Sequence, residues 1–194
     1  MALAVPLVLN FALFLIAVPL VTVDCGSEGS SDSDPQPCCF PKQFTTYNSD
    51  AEKRIWAKSS FDFVNQRKIV NVIDSDSNDF YYTDMKAGRT YEHLGGTCKY
   101  FTTPGITRVH ITFPCIPDDS QLIDQGGSLR ANTWEVNSNG MSGFISVSQD
   151  KCYPITASLT DTDSGFSLYV FLTSITEGID ESAFDVDLSD CTEV

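Results

Sequence analysis

Seven cysteines, Cys25, Cys38, Cys39, Cys98, Cys115, Cys152 and Cys191, are spread over the whole of a 194-residue chain. A fold for this chain must bring distant segments together wherever these residues bridge. Each bridge that closes a loop of tens of residues adds roughly 2–4 kcal/mol by restricting the unfolded chain. Metal chelation is the poorer reading, because the one close pair, Cys38-Cys39, is adjacent and cannot grip an ion as a C-x-x-C does. The odd count leaves one thiol free or paired with another molecule.

Disulfides need an oxidising compartment, and the N-terminus supplies the route to one. Residues 1–23 carry no charge and are filled with Leu, Val, Ala, Phe and Ile; the first charged residue is Asp24. Such a run, ending in Val21-Thr22-Val23, reads as a secretory signal peptide with the mature start near Asp24. It is long enough to span a bilayer. Pro6, Pro19 and the acidic, Ser-rich stretch that follows argue against a retained anchor, so no stable span is expected after cleavage. Residues 24–37, almost all Ser, Asp, Gly and Pro beyond Cys25, cannot bury enough surface to offset ordering and read as a flexible acidic leader. Residues 38–194 then suffice for one domain with one core.

With 12 Lys and Arg against 26 Asp and Glu, the net charge of −14 falls entirely outside the apolar leader. That surface repels phosphates and anionic lipid headgroups, which makes nucleic acid a poor partner, and it attracts divalent cations.

The domain reads as strand after strand. Aromatic and alternating segments occur at 54–63, 67–73, 80–85, 89–93, 129–136, 143–148, 152–160 and 166–174. Polar turns at Asn65-Gln66, Lys86-Ala87-Gly88, Asn137-Ser138-Asn139-Gly140 and Asp161-Thr162-Asp163-Ser164-Gly165 separate them. No long apolar stripe of helical period occurs; only residues 179–184, after Gly178, suggest one short helical turn. The expectation is an all-β sandwich or barrel-like antiparallel fold.

Catalytic equipment is sparse. There is no G-x-S-x-G elbow, phosphate-binding Gly loop or H-E-x-x-H, and the two histidines, His93 and His110, stand apart in sequence. The chain is therefore read as a binding protein rather than an enzyme. Asp74-Ser75-Asp76-Ser77-Asn78-Asp79 begins like an EF-hand loop, but Asp79 stands where the turn Gly belongs and Met85 where the bidentate Glu belongs. Asp74, Asp76, Asn78 and Asp79 remain as weak Ca²⁺ ligands of the extracellular kind, with a solvated turn as the alternative. No N-x-[ST] sequon occurs, so N-glycosylation is not expected.

Cys38-Cys39, then Ser60-Phe61-Asp62-Phe63-Val64-Asn65-Gln66-Arg67-Lys68-Ile69-Val70, then Gly127-Ser128 to Thr133-Trp134, occur in sequence. They are followed by Lys151-Cys152-Tyr153-Pro154-Ile155, Val170-Phe171-Leu172, Gly178-Ile179-Asp180-Glu181-Ser182-Ala183-Phe184 and Cys191. This order resembles that of the ependymin and ependymin-related family. The resemblance implies a secreted or lysosomal protein whose two strongly curved antiparallel sheets form a half-open barrel or sandwich around an apolar pocket, like bacterial lipoprotein carriers. It also implies Ca²⁺ binding, cell–matrix adhesion, lipid or fatty-acid binding and a tendency to dimerise. By the same similarity Cys98 pairs with Cys191, and Cys152 with Cys38 or Cys39. Cys115 takes whichever of those two remains, or Cys25. A family cysteine between the Arg67 and Phe80 strands is absent here, and the missing sequons depart from glycosylated members.

A pocket suits the aromatic content, 13 Phe, 7 Tyr and 2 Trp, which exceeds what a thin sandwich needs. Trp56, Phe61, Phe63, Tyr81, Trp134, Phe144, Tyr169 and Phe171 are the candidate lining residues, with simple core filling as the alternative for each. Two functions are expected from these readings. One is a secreted carrier or sensor of an apolar ligand such as a fatty acid or lipid. The other is a calcium-responsive matrix or cell–matrix adhesion protein with a closed core.

Overall fold

The computed structural model describes residues 34–50, 55–73, 78–102, 113–126, 130–138, 140–163, 165 and 167–194. The expected signal peptide and most of the acidic leader lie outside them. Residues from Pro35 to Val194 belong to one compact unit.

The described residues form twelve strands, most of them set by alternation of apolar and polar residues broken by turn formers. They are β1 (Gln43–Asp50), β2 (Ile55–Asp62), β3 (Arg67–Val72), β4 (Phe80–Asp84), β5 (Arg89–Leu94) and β6 (Thr97–Thr102). After them come β7 (Gln121–Gly126), β8 (Ala131–Ser138), β9 (Met141–Ser148), β10 (Pro154–Asp161), β11 (Ser167–Glu177) and β12 (Thr192–Glu193). The fold is all-β, as expected, with a 3-10 turn at Glu181–Phe184 where the sequence suggested a helical turn.

Hydrogen bonding runs β12-β6-β5-β4-β3-β2-β1-β11-β10-β9-β8-β7, an open order that does not close into a barrel. Two meanders, β2–β6 and β7–β11, are joined through β1, which pairs antiparallel with β2 on one side and β11 on the other. The two sheets expected from the resemblance are thus continuous across this strand. Local chemistry sets the turns: between β4 and β5, the Asp84 carboxylate accepts the Ala87 amide at 2.8 Å.

Register fixes the faces. Phe44 stands opposite Phe61, with ring centroids 4.5 Å apart and planes 10° apart. On the same face lie Leu168, Val170 and Leu172 of β11, Ala157 and Leu159 of β10, Ile145 and Val147 of β9, and Trp134 and Val136 of β8. These are buried together in one core. Phe40 and Ile116 join it from a short clip in which the Phe40 amide bonds Pro114 O at 2.8 Å and the Ile116 amide bonds Cys38 O at 2.9 Å.

Three disulfides staple the unit: Cys38–Cys152, Cys39–Cys115 and Cys98–Cys191. The first and third are pairings the family resemblance implies, with the choice between Cys38 and Cys39 resolved, and the second joins Cys115, which has no family counterpart, to the remaining Cys39 rather than to Cys25. The first ties the clip to the core meander, and the second joins the two segments of the clip. The third ties the C-terminal strap to β6, to which β12 pairs in parallel.

That strap leaves β11 at Gly178, whose amide bonds Gln43 O at 2.9 Å. Asp180 caps the 3-10 turn by accepting the Ser182 amide at 3.0 Å. The turn packs on β3, and the Arg67 guanidinium lies 4.2 Å over the ring of buried Phe184. Arg67 also pairs with Glu181 and, at 2.9 Å, with fully buried Asp62. Burial alone raises the Asp62 pKa, but hydrogen bonds from Asn65, Arg67 and Gln43 outweigh it and hold the carboxyl below its ordinary value.

Candidate functional site

The strap occupies the second face of the sheet only over part of the β2–β6 meander. On the other meander the strand β11 alternates from Ser167 to Thr173: Leu168, Val170 and Leu172 are buried, while Ser167, Tyr169, Phe171 and Thr173 are exposed. An antiparallel sheet can leave one face in water, but that face is ordinarily polar. Here a strand with neighbours on both sides presents two aromatic rings to solvent. They meet edge to face, with centroids 5.1 Å apart.

The register brings three more aromatics to that face. Phe171 is opposite Ser49, and Ser49 is opposite Trp56, so one row crosses β11, β1 and β2. Tyr169 is opposite Ser158, and Ser158 is opposite Phe144, so the next row crosses β11, β10 and β9. Tyr47 lies two residues from Ser49 on β1 and shares its face. The fractional exposures are 59% for Trp56, 44% for Phe144, 41% for Tyr169, 40% for Tyr47 and 39% for Phe171. Such values leave one flank of each ring in water while the other rests on the sheet.

The background of this face is hydroxyl-rich. Thr133 and Ser146 bond across strands at 3.0 Å, as do Thr160 and Ser167. Among the residues opposite the five aromatics, the ionisable ones are Lys58, opposite Tyr47, and Glu135, opposite Phe144. They stand toward opposite ends of the patch.

The eight aromatics expected to line a pocket therefore divide between the two faces. Trp56, Phe144, Tyr169 and Phe171 are brought together on the open face. Phe61 and Trp134 are buried on the other face in the main core, and Phe63 packs against that core, tilted 40° to Phe61 at 6.0 Å. Tyr81 is buried in a smaller core with Ala57 and Val70. Its hydroxyl pKa is pushed up by burial and by the nearby carboxylates of Glu92 and Asp79. Tyr47, which belongs with the exposed group, was not among the expected residues.

The core face also holds Lys68, almost fully buried, with its ammonium 4.2 Å over the Phe61 ring. Burial pushes its pKa well below the ordinary lysine value. Nearby, the Ser59 hydroxyl donates to Asn48 Oδ1 at 2.7 Å, and Thr83 pairs with Thr90 at 3.3 Å.

Of the expected Ca²⁺ ligands, Asn78 and Asp79 are described; Asp74 and Asp76 lie outside the described residues. An Asp79 carboxylate oxygen accepts the Gly95 amide at 2.9 Å. Among the described residues no three His, Cys, Asp or Glu side chains gather as a metal site. Asn78 and Asp79 instead border a cavity of about 520 Å³ between β3, β4 and the strap, with Phe80, His93 and Val186. His93 stacks on Phe80 with centroids 5.0 Å apart and planes 3° apart. His110 lies outside the described residues. A second cavity, about 450 Å³, opens beside Lys42, Lys151 and Glu177. None of the eight expected aromatics lines either cavity.

Among the described residues no helix is long and apolar enough to cross a membrane. No protein-family model matches the chain, and no curated protein matches it in sequence. Among solved structures, an uncharacterized conserved protein from Thermus thermophilus matches with a TM-score of 0.52 at 12% sequence identity, covering 79% of this chain and 90% of that chain. At that identity the likeness shows a shared fold and nothing of function.

Proposed function

We propose that this chain is an exported, ependymin-like binding protein rather than an enzyme, and that it receives a ligand with apolar faces on the aromatic surface of β2, β1, β11 and β9. One observation carries the reading: Tyr169 and Phe171 are exposed side by side on an interior strand of the sheet. At about 200 Å² per aromatic side chain, the five rings leave roughly 450 Å² in water. A patch of that size on a monomer commonly marks an interaction site. Three disulfides suit such a protein to an oxidising exterior.

The test uses the two tryptophans, one exposed and one buried. Titration with oleate, phosphatidylcholine vesicles and neutral oligosaccharides is followed by tryptophan emission. A ligand that covers the face shifts Trp56 emission to the blue, and the shift is absent from Trp56→Phe. Indifference of the emission to every probe removes the face as the site.

A second reading, an interior site for a fatty acid, is favoured by the cavity of about 520 Å³ that Val72, Phe80 and Val186 border beneath the strap. Native mass spectrometry followed by organic extraction separates the two. Extractable lipid that persists in Phe171→Ser belongs to the interior; a clean polypeptide mass leaves the open face alone.

A further inference from the structure

We infer that the occupant of the aromatic face is a neutral, β-linked glycan chain; this rests on the proposal that the face is the binding site. The register supplies the first argument. In each of two rows the aromatics stand two strands apart with a hydroxyl between them: Trp56 on β2 and Phe171 on β11 flank Ser49 of β1, and Tyr169 on β11 and Phe144 on β9 flank Ser158 of β10, while Tyr47 of β1 lies two residues from Ser49 on the same face. Strands in a sheet lie about 4.8 Å apart, so successive aromatics are separated by about 9.6 Å across the strands. A β-1,4-linked chain turns each sugar over relative to the last, so the same ring face returns once per disaccharide, a length close to that step. Each returning C–H face lies on a ring, and the equatorial hydroxyls between fall over Ser and Thr side chains.

Charge supplies the second argument. The chain carries −14 overall, yet the two rows Trp56–Ser49–Phe171 and Tyr169–Ser158–Phe144 contain no carboxylate and no cation. An anionic membrane, a nucleic acid or a second copy of this chain would meet long-range repulsion before reaching that neutral strip. A neutral polysaccharide meets none. It also needs no concavity, because it binds by stacking along a surface rather than by enclosure.

The experiment titrates the full secreted chain with cellohexaose, N-acetylchitohexaose, the matching disaccharides, oleate and phosphatidylcholine vesicles, following Trp56 emission. A hexasaccharide is expected to shift the emission to the blue. The disaccharide should bind at least tenfold more weakly, since its two sugars reach one aromatic of a row whereas a hexasaccharide spans both. Phe171→Ala and Phe144→Ala, on different strands, should each raise the hexasaccharide Kd about tenfold at unchanged melting temperature. If one variant fails to fold, the other and the chain-length comparison on the natural protein still decide. A response to oleate or vesicles alone keeps the face as the site and overturns the glycan. Emission that changes only with protein concentration, with dimer seen by sedimentation, assigns the face to a second copy and also overturns it. No response to any probe overturns both the glycan and the site.

Discussion

Removing the disulfides one at a time separates chain entropy from packing. Alanine at Cys38 and Cys152 opens a loop with a separation of 114 residues, at Cys39 and Cys115 one of 76, and at Cys98 and Cys191 one of 93. Loop-closure entropy varies only as the logarithm of these lengths, so it assigns all three bonds about 4.5–4.8 kcal/mol at 25 °C and cannot rank them. Packing can. Cys152 is buried in the main core with Cys38 against it, and Cys39–Cys115 holds the clip that carries buried Phe40 and Ile116. Without either bond the native contacts still keep both ends in place, so the unfolded state gains nearly the full entropy and the native state gains little. Cys191 adjoins β12, two exposed residues beside β6, followed by a single amide bond from Val194 to Tyr100 O at 3.0 Å. There the native state itself gains freedom when the bond is cut, because residues beyond Phe184 can leave β6. The net loss should be less than half of that for the other two. Urea unfolding of the three double-alanine variants measures the losses, and hydrogen exchange at Thr97–Thr102 detects local opening. Equal losses in all three, or the largest loss at Cys98–Cys191, would refute the packing argument.

Other substitutions test single positions. Gly143 has φ +142°, and an added Cβ would lie 2.0 Å from Ser158 O, so Gly143→Ala should force β9 from β10 and cost about 3 kcal/mol or more in urea unfolding. Because burial holds the folded Lys68 pKa below the ordinary lysine value, stability should rise with pH through the window up to that value, and the rise should be absent from melting-temperature profiles of Lys68→Met. Asp62 has a depressed folded pKa, so its contribution is full above the ordinary carboxylate value and is lost as pH falls through the folded value. Asp62→Asn should cost about 3 kcal/mol at pH 7 and flatten the acid limb of a melting-temperature profile.

Much of the strand pattern is legible because turn chemistry brackets it. The sequence predicts strands at 67–73 and 80–85, and β3 and β4 occupy them to within one residue. The weak strands carry no such signal. In β6, Thr97-Cys98-Lys99-Tyr100-Phe101-Thr102 shows no clean alternation and is nowhere fully buried. In β7 the only apolar residues, Leu122 and Ile123, are adjacent in an edge strand with a register shift. Nothing local in Thr192-Glu193 specifies β12; its pairing follows from Cys191 being bound to Cys98. These elements form because neighbours and covalent bonds present an edge to them, which a local window does not contain.

The aromatic face was legible in part, through parity rather than composition. Side chains five apart on a strand point to opposite faces, so Trp56 and Phe61 could not line one cavity from β2. Tyr169 and Phe171 share one parity, and Leu168, Val170 and Leu172 the other, which already divides β11 into two apolar faces. Parity does not say which face is buried. The pairing does: Val170 meets Ala157, which meets Ile145, which meets Trp134, a continuous apolar row across four strands. Phe171 meets Thr156, which meets Ser146, which meets Thr133, a row of hydroxyls on the same strands. A dry core forms where every partner along a row is apolar. Against a row of hydroxyls an aromatic ring has no apolar layer to bury it, and it stays available to a ligand.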